Sequence, residues 1–387
     1  MSDEHPLTDL NTLGLRRWDG ADDTLRAWDA ADQYLLRTLE EEGMNLTPKN
    51  IVVLNDGFGA ISIPLLDQNS VITLTDSATA AYAIRQNDSQ RHHAYKTVRV
   101  HTTFELPTDV TADLCLFKVP KSLDKLTHQL KRIRPLLGQR TQIIGAGMTK
   151  KIHTSTLKML EAVLGPPKTT RAVKKARLIH ISEPNALSER TEIHPEVRSF
   201  ERYEPSNGKQ YRFHTVAGCY AHGKLDRGSA HLLDHLPPPP ANSQICDLGC
   251  GSGILGLTAL LREPSCTLTM VDEEAAAVRS AEKNAQALLD SRSENVSCFH
   301  AKDLSMILER TQDWVLLNPP FHDDGARNHQ IASAMFKDAR RVLKSGGSLW
   351  VVGNRHLNYF HKLTRLFGHC QHVGADSRFS ICHAQKM

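Results

Sequence analysis

The stretch Gln244-Ile-Cys-Asp-Leu-Gly-Cys-Gly-Ser-Gly-Ile-Leu-Gly256 decides the fold of this chain. Its first residues are mostly apolar and predict a buried strand, while the apolar positions after Gly253 recur at helical spacing. The glycines between them suit a tight turn, because glycine adopts positive φ and lets a ligand approach the backbone. The segment therefore predicts a strand, a glycine turn and a helix whose free N–H groups face a ligand.

Two kinds of ligand fit such a turn. Gly251-Ser-Gly-Ile-Leu-Gly256 matches the dinucleotide fingerprint, which alone is a weak signal. Asp247, however, stands at the strand end, where a carboxylate would repel a pyrophosphate and attract the ammonium group of S-adenosylmethionine (SAM). Asp272 ends the next strand, Leu268–Asp272, where an acid can accept hydrogen bonds from both ribose hydroxyls. The two acids thus favour SAM over a nicotinamide dinucleotide.

Length and composition indicate a globular protein with more than one domain. The chain has 387 residues, which suggests two or three domains. We expect no membrane segment, because no apolar run approaches the ~20 residues of a span, and no signal peptide, because the start of the chain is acidic. The eight cysteines are scattered without a C-x-x-C pair, so we expect reduced thiols, no metal site and a cytoplasmic location.

The charge of the chain is distributed unevenly. Between Lys118 and Arg177 there are fifteen Lys and Arg residues but two acids, although the net charge of the whole chain is only +4. Such asymmetry favours a polyanionic partner for this region, and a solvated lysine-rich surface is the alternative.

The order of motifs in the second half of the chain repeats that of the first half. The matching pairs are Ile51–Ala60 with Ile245–Ile254, Thr73–Asn87 with Thr269–Asn284, Asp113–Pro120 with Asp313–Pro320, and Arg132–Gly145 with Arg340–Gly353. Two copies of an alternating strand–helix unit predict an α/β protein with two parallel-sheet domains. Two short strands near the C-terminus predict an antiparallel edge on the second sheet.

The predicted domains are residues 1–182 and residues 243–387, joined by residues 183–242. The stretch Ser182–Gln210, nearly all of which lies in the joining region, is rich in Glu, Pro, Arg and Asn and is typical of connecting structure. The joining region ends with Pro237–Pro240, a stiff approach to the second domain.

Asn318-Pro-Pro-Phe321 follows the apolar strand Trp314–Leu317 and is suited to the methylation of a conjugated amine. The amine must become pyramidal to attack a methyl carbon. The side-chain carbonyl of Asn318 and the backbone carbonyl of Pro319 can accept its two N–H bonds, which stabilises the tetrahedral amine. Pro320 stiffens the loop together with Pro319, and Phe321 offers a face on which a flipped-out base can stack.

Together these motifs resemble the class I SAM-dependent N-methyltransferases, and most closely the RsmC/RlmG-type ribosomal RNA guanine-N2 methyltransferase family. Leu225-Asp-Arg-Gly228 and Val351-Val-Gly-Asn-Arg-His-Leu357 resemble the flanking motifs of that family. Asn55-Asp-Gly-Phe-Gly-Ala60 and His153-Thr-Ser-Thr-Leu157 are similar to its large-subunit branch. Tyr220 and Gly353 depart from the Phe and Ala of the family pattern.

The resemblance implies two tandem class I (Rossmann-like) methyltransferase domains, the N-terminal one degenerate, each with strand order 3-2-1-4-5-7-6. It implies transfer of a methyl group from SAM to the N2 amine of a guanosine in 23S ribosomal RNA, by a protein expected to be a monomer. The implied catalytic residues are Asn318, Pro319, Pro320 and Phe321. The implied SAM-binding residues are Asp226, Asp247, Gly249, Gly251, Gly253, Asp272 and Asp303.

The N-terminal copy lacks several of these residues. Val53 replaces the strand-end acid, Asn55 replaces the first glycine and Lys118 replaces the catalytic Asn. We therefore expect this domain to have lost SAM binding and catalysis and to hold the RNA backbone instead. The residues expected to contact RNA are Lys118, Lys121, Lys150, Lys151, Arg171, Lys174, Lys175 and Arg177.

Other functions use parts of the same pattern. An N-methyltransferase acting on a protein glutamine amide would use the same Asn-Pro-Pro chemistry, although the basic region disfavours it. Methylation of a guanine in 16S ribosomal RNA is a further alternative. A non-enzymatic ribosome assembly factor could keep the fold only to bind RNA, although the intact Asn318 and Asp247 disfavour this.

Overall fold

The computed structural model describes residues 9–18, 25–43, 49–91, 96–182, 184, 196–320 and 325–387, with the side chains of 290–292 and 325–328 excepted. The chain divides into two compact units, Met1–Pro195 and Glu196–Met387.

The first unit is a seven-stranded sheet with helices on its faces. Its strands are β1 (Asn50–Leu54), β2 (Ser70–Leu74), β3 (Arg99–His101), β4 (Ala112–Lys118), β5 (Leu137–Met148), β6 (Lys168–Thr169) and β7 (Ala176–Ile181). Its helices are α1 (Ala30–Glu41), α2 (Ala78–Ser89), α3 (Leu123–Ile133) and α4 (Thr154–Val163).

The second unit contains a sheet of the same size, preceded by a separate two-stranded hairpin. Its strands are β8 (Val197–Glu204), β9 (Lys209–Val216), β10 (Gln244–Leu248), β11 (Thr267–Asp272), β12 (Val296–His300), β13 (Gln312–Leu317), β14 (Leu343–Asn354), β15 (Gly368–Ala375) and β16 (Phe379–Lys386). Its helices are α5 (Arg227–His235), α6 (Ile254–Arg262), α7 (Ala275–Leu289), α8 (Gly325–Val342) and α9 (Tyr359–Phe367).

The two sheets have the same topology. The strand orders are β3-β2-β1-β4-β5-β7-β6 and β12-β11-β10-β13-β14-β16-β15. In both sheets the first five strands are parallel, and the last two are antiparallel to their neighbours. The predicted fold class, the strand order and the antiparallel edge are therefore confirmed.

The glycine turn after β10 positions the edge at which ligands collect in such sheets. Gly249, Gly251 and Gly253 all have positive φ, between 55° and 78°. Gly256 lets α6 pack closely on β10, because a Cβ at that position would lie 2.7 Å from Leu268 Cδ1. The central strands are buried on both faces, as expected of a parallel sheet covered by helices.

The duplication includes the segments that lead into each sheet. In the second unit, Asn284 accepts a hydrogen bond from His214 N–H (2.7 Å) and donates one to Ser252 O (2.9 Å). In the first unit, Asn87 donates to Phe58 O at 2.8 Å and also bonds to the Arg16 backbone. In each unit, one buried Asn thus forms hydrogen bonds both to the segment that precedes the sheet and to the turn that follows β1 or β10.

The hairpin β8–β9 lies partly within Ser182–Gln210, where the sequence predicts connecting structure. Phe200 and Phe213 stack between its strands with ring centroids 5.7 Å apart. Glu204 forms a two-pronged ion pair with Arg262 of α6, at 2.9 and 3.1 Å. Residues 196–242 therefore pack as part of the second unit, and the predicted boundary at 242 stays a prediction.

Within the described part of the chain, no helix combines the length and the apolar character needed to cross a membrane. The same residues hold no cluster of three or more His, Cys, Asp or Glu side chains that could bind a metal ion.

Candidate active site

The glycine turn presents an open space at the carboxyl edge of the second sheet. A Cβ at Gly251, where φ is +55°, would meet no other described atom within 4 Å. Gly251 N–H donates to Asp272 Oδ2 at 2.8 Å, and both Gly249 and Cys250 donate to Val271 O. The turn is therefore fixed by β11, and within the described part of the chain the space beside Gly251 is open to a ligand.

Asp247 lies behind this turn with no exposed surface. Its Oδ2 accepts a hydrogen bond from Gly256 N–H at 2.8 Å, while its buried Oδ1 has no hydrogen-bond partner among the described residues. Burial raises the pKa of Asp247 to about 7. A buried carboxylate with an unused oxygen suits a cationic ligand group, because native proteins rarely leave such oxygens unpaired.

Asp272 ends β11 and faces the same space. Its two oxygens accept hydrogen bonds from Gly251 N–H (2.8 Å) and Glu274 N–H (2.9 Å). Burial raises the pKa of Asp272 to about 6. Each carboxylate oxygen can accept more than one bond, so Asp272 can still accept from a ligand hydroxyl. The two acids and the open turn fit the ammonium group and the ribose of SAM.

Asp303 follows β12, the strand next to β11 in the sheet. It accepts a hydrogen bond from Ser305 N–H at 2.9 Å and forms an ion pair with Lys302. Burial raises its pKa, but these bonds outweigh burial and the net shift is downward. Asp303 therefore stays ionised beside the expected cofactor site.

Asn318 follows β13, adjacent to β10. Its Nδ2 donates to Asp226 Oδ2 at 2.8 Å and lies 2.9 Å from Ser229 Oγ. Its Oδ1 is buried and, within the described part of the chain, has no hydrogen-bond partner. The amide is thus held by its nitrogen, and its carbonyl oxygen is free for a substrate donor.

Of the other three residues of the predicted Asn-Pro-Pro-Phe motif, the structure describes the two prolines. Pro319 is buried and Pro320 is exposed, while Phe321 lies outside the described residues.

Asp226, which is expected to contact the cofactor, accepts a hydrogen bond from Asn318 Nδ2, and its cofactor contact stays a prediction. It caps α5 by accepting from Ser229 N–H at 2.8 Å, and it accepts from Tyr220 Oη at 3.1 Å. Sequence reasoning missed Ser229, although its place three residues after a capping Asp indicated proximity. It also missed Gly228, whose Cβ would lie 3.4 Å from Asn318 Oδ1.

The corresponding edge of the first unit is closed by its own side chains. Asp56, only 2% exposed, accepts hydrogen bonds from the successive N–H groups of residues 58–62. Asn55 and Gln129 bond to each other through both polar atoms, and Gln129 also donates to Asp76 at 2.8 Å. Groups that could bind a ligand here are already paired within the unit.

Lys118 occupies the position that corresponds to Asn318. It is largely buried and forms ion pairs with Asp29 (2.9 Å) and Asp32 (2.5 Å). Burial lowers the pKa of Lys118, but the two carboxylates outweigh burial and the net shift is upward. Its charge is thus neutralised inside the first unit, and we do not include Lys118 in the RNA-binding surface proposed below.

The other predicted RNA-binding residues are exposed or half-buried, and several of them lie near the carboxyl end of β5. Lys150 and Lys151 directly follow β5, and Thr149 N–H donates to Lys175 O at 2.8 Å. The pKa of Lys151 is lowered by burial and by the neighbouring charges of Lys118, Lys121 and Lys150. We define the basic edge as Lys121, Lys150, Lys151, Arg171, Lys174, Lys175 and Arg177.

Lys174 and Lys175 form the tip of a tight hairpin. Both have positive φ, 47° and 63°, which is uncommon for residues other than glycine. The flanking Val173 and Ala176 exchange both backbone hydrogen bonds, at 2.9 and 2.8 Å. Two cations are therefore held side by side at the end of the hairpin.

Comparison with known proteins shows similarity along nearly the whole chain. Residues 4–185 match the model of the RLMG N-terminal domain, and residues 210–383 match the methyltransferase small domain. The ribosomal RNA large subunit methyltransferase G of Pectobacterium atrosepticum is 38% identical, over 94% of this chain and 92% of the relative. The protein of the same name from Streptomyces avermitilis is 40% identical, over 94% of each chain.

Among solved structures, the T. thermophilus 16S rRNA N2 G1207 methyltransferase (RsmC), in complex with AdoMet and guanosine, has the same fold. The TM-score is 0.72, with 24% sequence identity over 88% of each chain.

Proposed function

We propose a mechanism for this chain, which belongs to the ribosomal RNA large subunit methyltransferase G family. It is a SAM-dependent ribosomal RNA methyltransferase. The reaction is transfer of one methyl group to the exocyclic N2 amine of a guanosine in 23S ribosomal RNA. We propose that it acts in the cytoplasm as a monomer, since each chain carries one full set of the residues described above.

The observation that carries the mechanism is Oδ1 of Asn318, which is buried and has no hydrogen-bond partner among the residues that the structure describes. The guanine amine is planar because its lone pair is delocalised into the ring. Asn318 Oδ1 would accept one N–H of the amine, and the Pro319 carbonyl would accept the other. These two bonds favour the pyramidal amine, in which the lone pair is no longer delocalised into the ring and can attack the methyl carbon. These bonds strengthen as positive charge develops on nitrogen, so they stabilise the transition state more than the bound substrate.

The cofactor SAM, when bound, supplies an electrophilic methyl group. The residues that would hold it are Asp247, Asp272, Asp303 and the glycine turn, placed on strands of the same sheet as the one that carries Asn318. A strong base is not needed, because the nitrogen proton becomes acidic once the new N–C bond has formed and can leave to water.

We propose that the basic edge of the first unit binds the RNA backbone. Support comes from the exposure of most of its members and from the backbone contact that places the Lys174–Lys175 hairpin beside the end of β5, where Lys150 and Lys151 lie. Phosphate contacts of this kind position RNA without reading its sequence. If about five of these residues touch phosphate, log affinity should fall with log salt with a slope of about −4.

Asn318→Ala tests the catalytic role. Removing one transition-state hydrogen bond should slow methyl transfer by roughly 10²–10³-fold, while SAM affinity measured by calorimetry stays unchanged. A variant that methylates at the wild-type rate would show that Asn318 does not hold the amine.

The identity of the product tests the substrate. Ribosomal RNA from a strain lacking this gene should lose one N2-methylguanosine in 23S RNA, detected by mass spectrometry of RNA fragments. The purified protein and labelled SAM should restore it. Appearance of N6-methyladenosine, or of labelled protein instead of RNA, would contradict the proposal.

A further inference from the structure

The side chain of Asn318 could in principle present either end of its amide to the substrate. Only the oxygen can accept the amine hydrogens, whereas the NH₂ group would repel them. Asp226 decides the orientation, because a carboxylate can only accept and therefore must face Nδ2. Ser229 Oγ, 2.9 Å from the same nitrogen, holds its second hydrogen.

The geometry around Asp226 leaves little freedom for this arrangement to change. Asp226 Oδ2 is fixed by Ser229 N–H at the first turn of α5, and Oδ1 is fixed by the Tyr220 hydroxyl. Gly228 lies over the same group, with the ideal Cβ position 3.1 Å from Asp226 Oδ2. Asn318 thus contacts a carboxylate that is itself immobilised by a helix start.

The first unit contains the same arrangement with different residues. Asp29 caps α1 as Asp226 caps α5, and Asp32 stands three residues later as Ser229 does. Both contact Lys118, which ends the matching strand. The fold therefore places a helix-start carboxylate against this strand end in both units, whether or not the strand end carries the catalytic amide.

We propose that Asp226 and Ser229 are positioning residues that fix the amide of Asn318 with its carbonyl toward the substrate amine. This inference rests on the proposed function and replaces the expected contact of Asp226 with the cofactor. Without the carboxylate the amide can rotate and present NH₂, which removes the acceptor without removing Asn318.

An exchange of the two side chains tests this role. Asn318→Asp alone places two carboxylates together, and Asp226→Asn alone removes the anion that orients the amide. The double variant Asp226→Asn/Asn318→Asp restores a donor–acceptor pair between the two positions with the roles exchanged, and it leaves a carboxylate oxygen facing the substrate. It loses the hydrogen bond from Ser229 N–H to position 226, so we expect only partial recovery. We expect each single variant to lose roughly 10²-fold in turnover, and the double variant to recover about 10-fold relative to either.

The matched control is Asp234→Asn, which removes an exposed carboxylate from the same helix. It should leave turnover unchanged. SAM affinity, measured by calorimetry, should be the same in all five proteins, because no member of the exchange is proposed to touch the cofactor.

Thermal unfolding against pH gives a readout that does not depend on activity. In Asn318→Asp, two adjacent carboxylates raise the pKa of one of them. The folded-state pKa then exceeds the unfolded one, so the protein loses stability as pH rises from the unfolded pKa through the raised folded value. In the double variant the like-charged pair is absent, and this loss should disappear.

The outcomes distinguish a failure of the proposed function from a failure of the positioning role. A wild-type protein that fails to methylate 23S RNA overturns the proposed function, while the stability cycle still reports on the pairing. An active wild type whose double variant is no better than the single variants overturns the positioning role. Weakened SAM binding in Asp226→Asn would return Asp226 to the cofactor site and overturn it as well.

Discussion

Two residues of the second unit, Asp247 and Asn318, each bury one oxygen that has no hydrogen-bond partner among the described residues. Such groups cost free energy in a folded protein unless something else pairs with them. Both lie at the carboxyl edge of neighbouring strands. These two oxygens therefore lie where ligands are expected, one suited to a cofactor cation and the other to a substrate amine.

The pKa of Asp247 predicts a pH-dependent affinity for SAM. In the free protein burial raises this pKa to about 7, so the group is largely protonated below that pH. An ammonium group favours the carboxylate, so affinity should increase as pH rises from about 6 to 8 and then level off. Calorimetric titration of SAM at several pH values measures this.

Asp247→Asn is the control for the pH effect. It should bind SAM more weakly, and the remaining pH dependence should lie near the pKa of Asp272, which burial raises to about 6. An affinity that is constant between about pH 6 and 8 in the wild type would mean that Asp247 does not face the cation.

Gly228→Ala should separate stability from activity. Alanine in place of a helical glycine usually stabilises by about 0.5–1 kcal/mol, so the melting temperature should not fall. The new Cβ would lie 3.1 Å from Asp226 Oδ2, so that oxygen must shift, while its 3.4 Å distance from Asn318 Oδ1 is an ordinary contact. Because Asp226 holds Asn318, turnover should decrease. Full turnover in a variant of unchanged stability would show that the site tolerates displacement of the Asp226 oxygen.

At the scale of elements, the hairpin that ends in Lys174 and Lys175 combines local strain with charge. Turns with two central residues of positive φ favour Asn-Gly, and two lysines there cost of order 1–3 kcal/mol each. The double variant Lys174→Asn/Lys175→Gly should therefore have a higher melting temperature. It should also bind RNA more weakly and with a shallower salt dependence, because two phosphate-binding charges are lost.

The control for the hairpin is the Lys174→Arg/Lys175→Arg variant, which keeps both charges and both unfavourable φ values. It should bind RNA as the wild type does and gain no stability. RNA affinity that is unchanged by Lys174→Asn/Lys175→Gly would exclude the hairpin tip from the basic edge.

The elements of the sheets could be predicted because their signals are local. The strand that begins at Gln244 and the helix that follows Gly253 could be predicted from periodicity and glycine placement within a few residues. The hairpin β8–β9 could not be predicted in this way, since its anchor is the pair of Glu204 with Arg262, 58 residues apart. Charged residues such as Glu204 indicate surface loops when their partner is unknown.

The roles of side chains at the site also depend on partners that are distant in the sequence and could not be predicted from local signals. Asn318 could be identified from its motif, but its contact with Asp226 joins positions 92 residues apart. Lys118 has the residue type of an RNA contact, yet Asp29 and Asp32, remote in sequence, neutralise it. Residue type indicates which chemistry is possible, and only the fold decides which partner is present.

At the scale of the whole molecule, the two units predict a binding stoichiometry. The second unit has open space beside Gly251 and an acid, Asp247, one of whose oxygens has no hydrogen-bond partner among the described residues. In the first unit, Asp56 accepts from the N–H groups of the turn and Gln129 donates to Asp76. Calorimetry should therefore give one SAM per chain. Two sites of comparable affinity would show that the first unit still binds the cofactor.

In the first unit, the carboxylate of Asp56 accepts hydrogen bonds from the N–H groups of the turn, as a bound anion would. Unlike a ligand, this carboxylate is part of the chain and cannot dissociate. Ligand binding stabilises only the unit that binds it, by about 2.7 kcal/mol at a ligand concentration 100 times Kd. We therefore expect SAM to raise the melting temperature of the second unit and to leave that of the first unit unchanged. If the basic edge holds the RNA as proposed, we expect RNA affinity measured with and without SAM to be the same, while methyl transfer requires SAM.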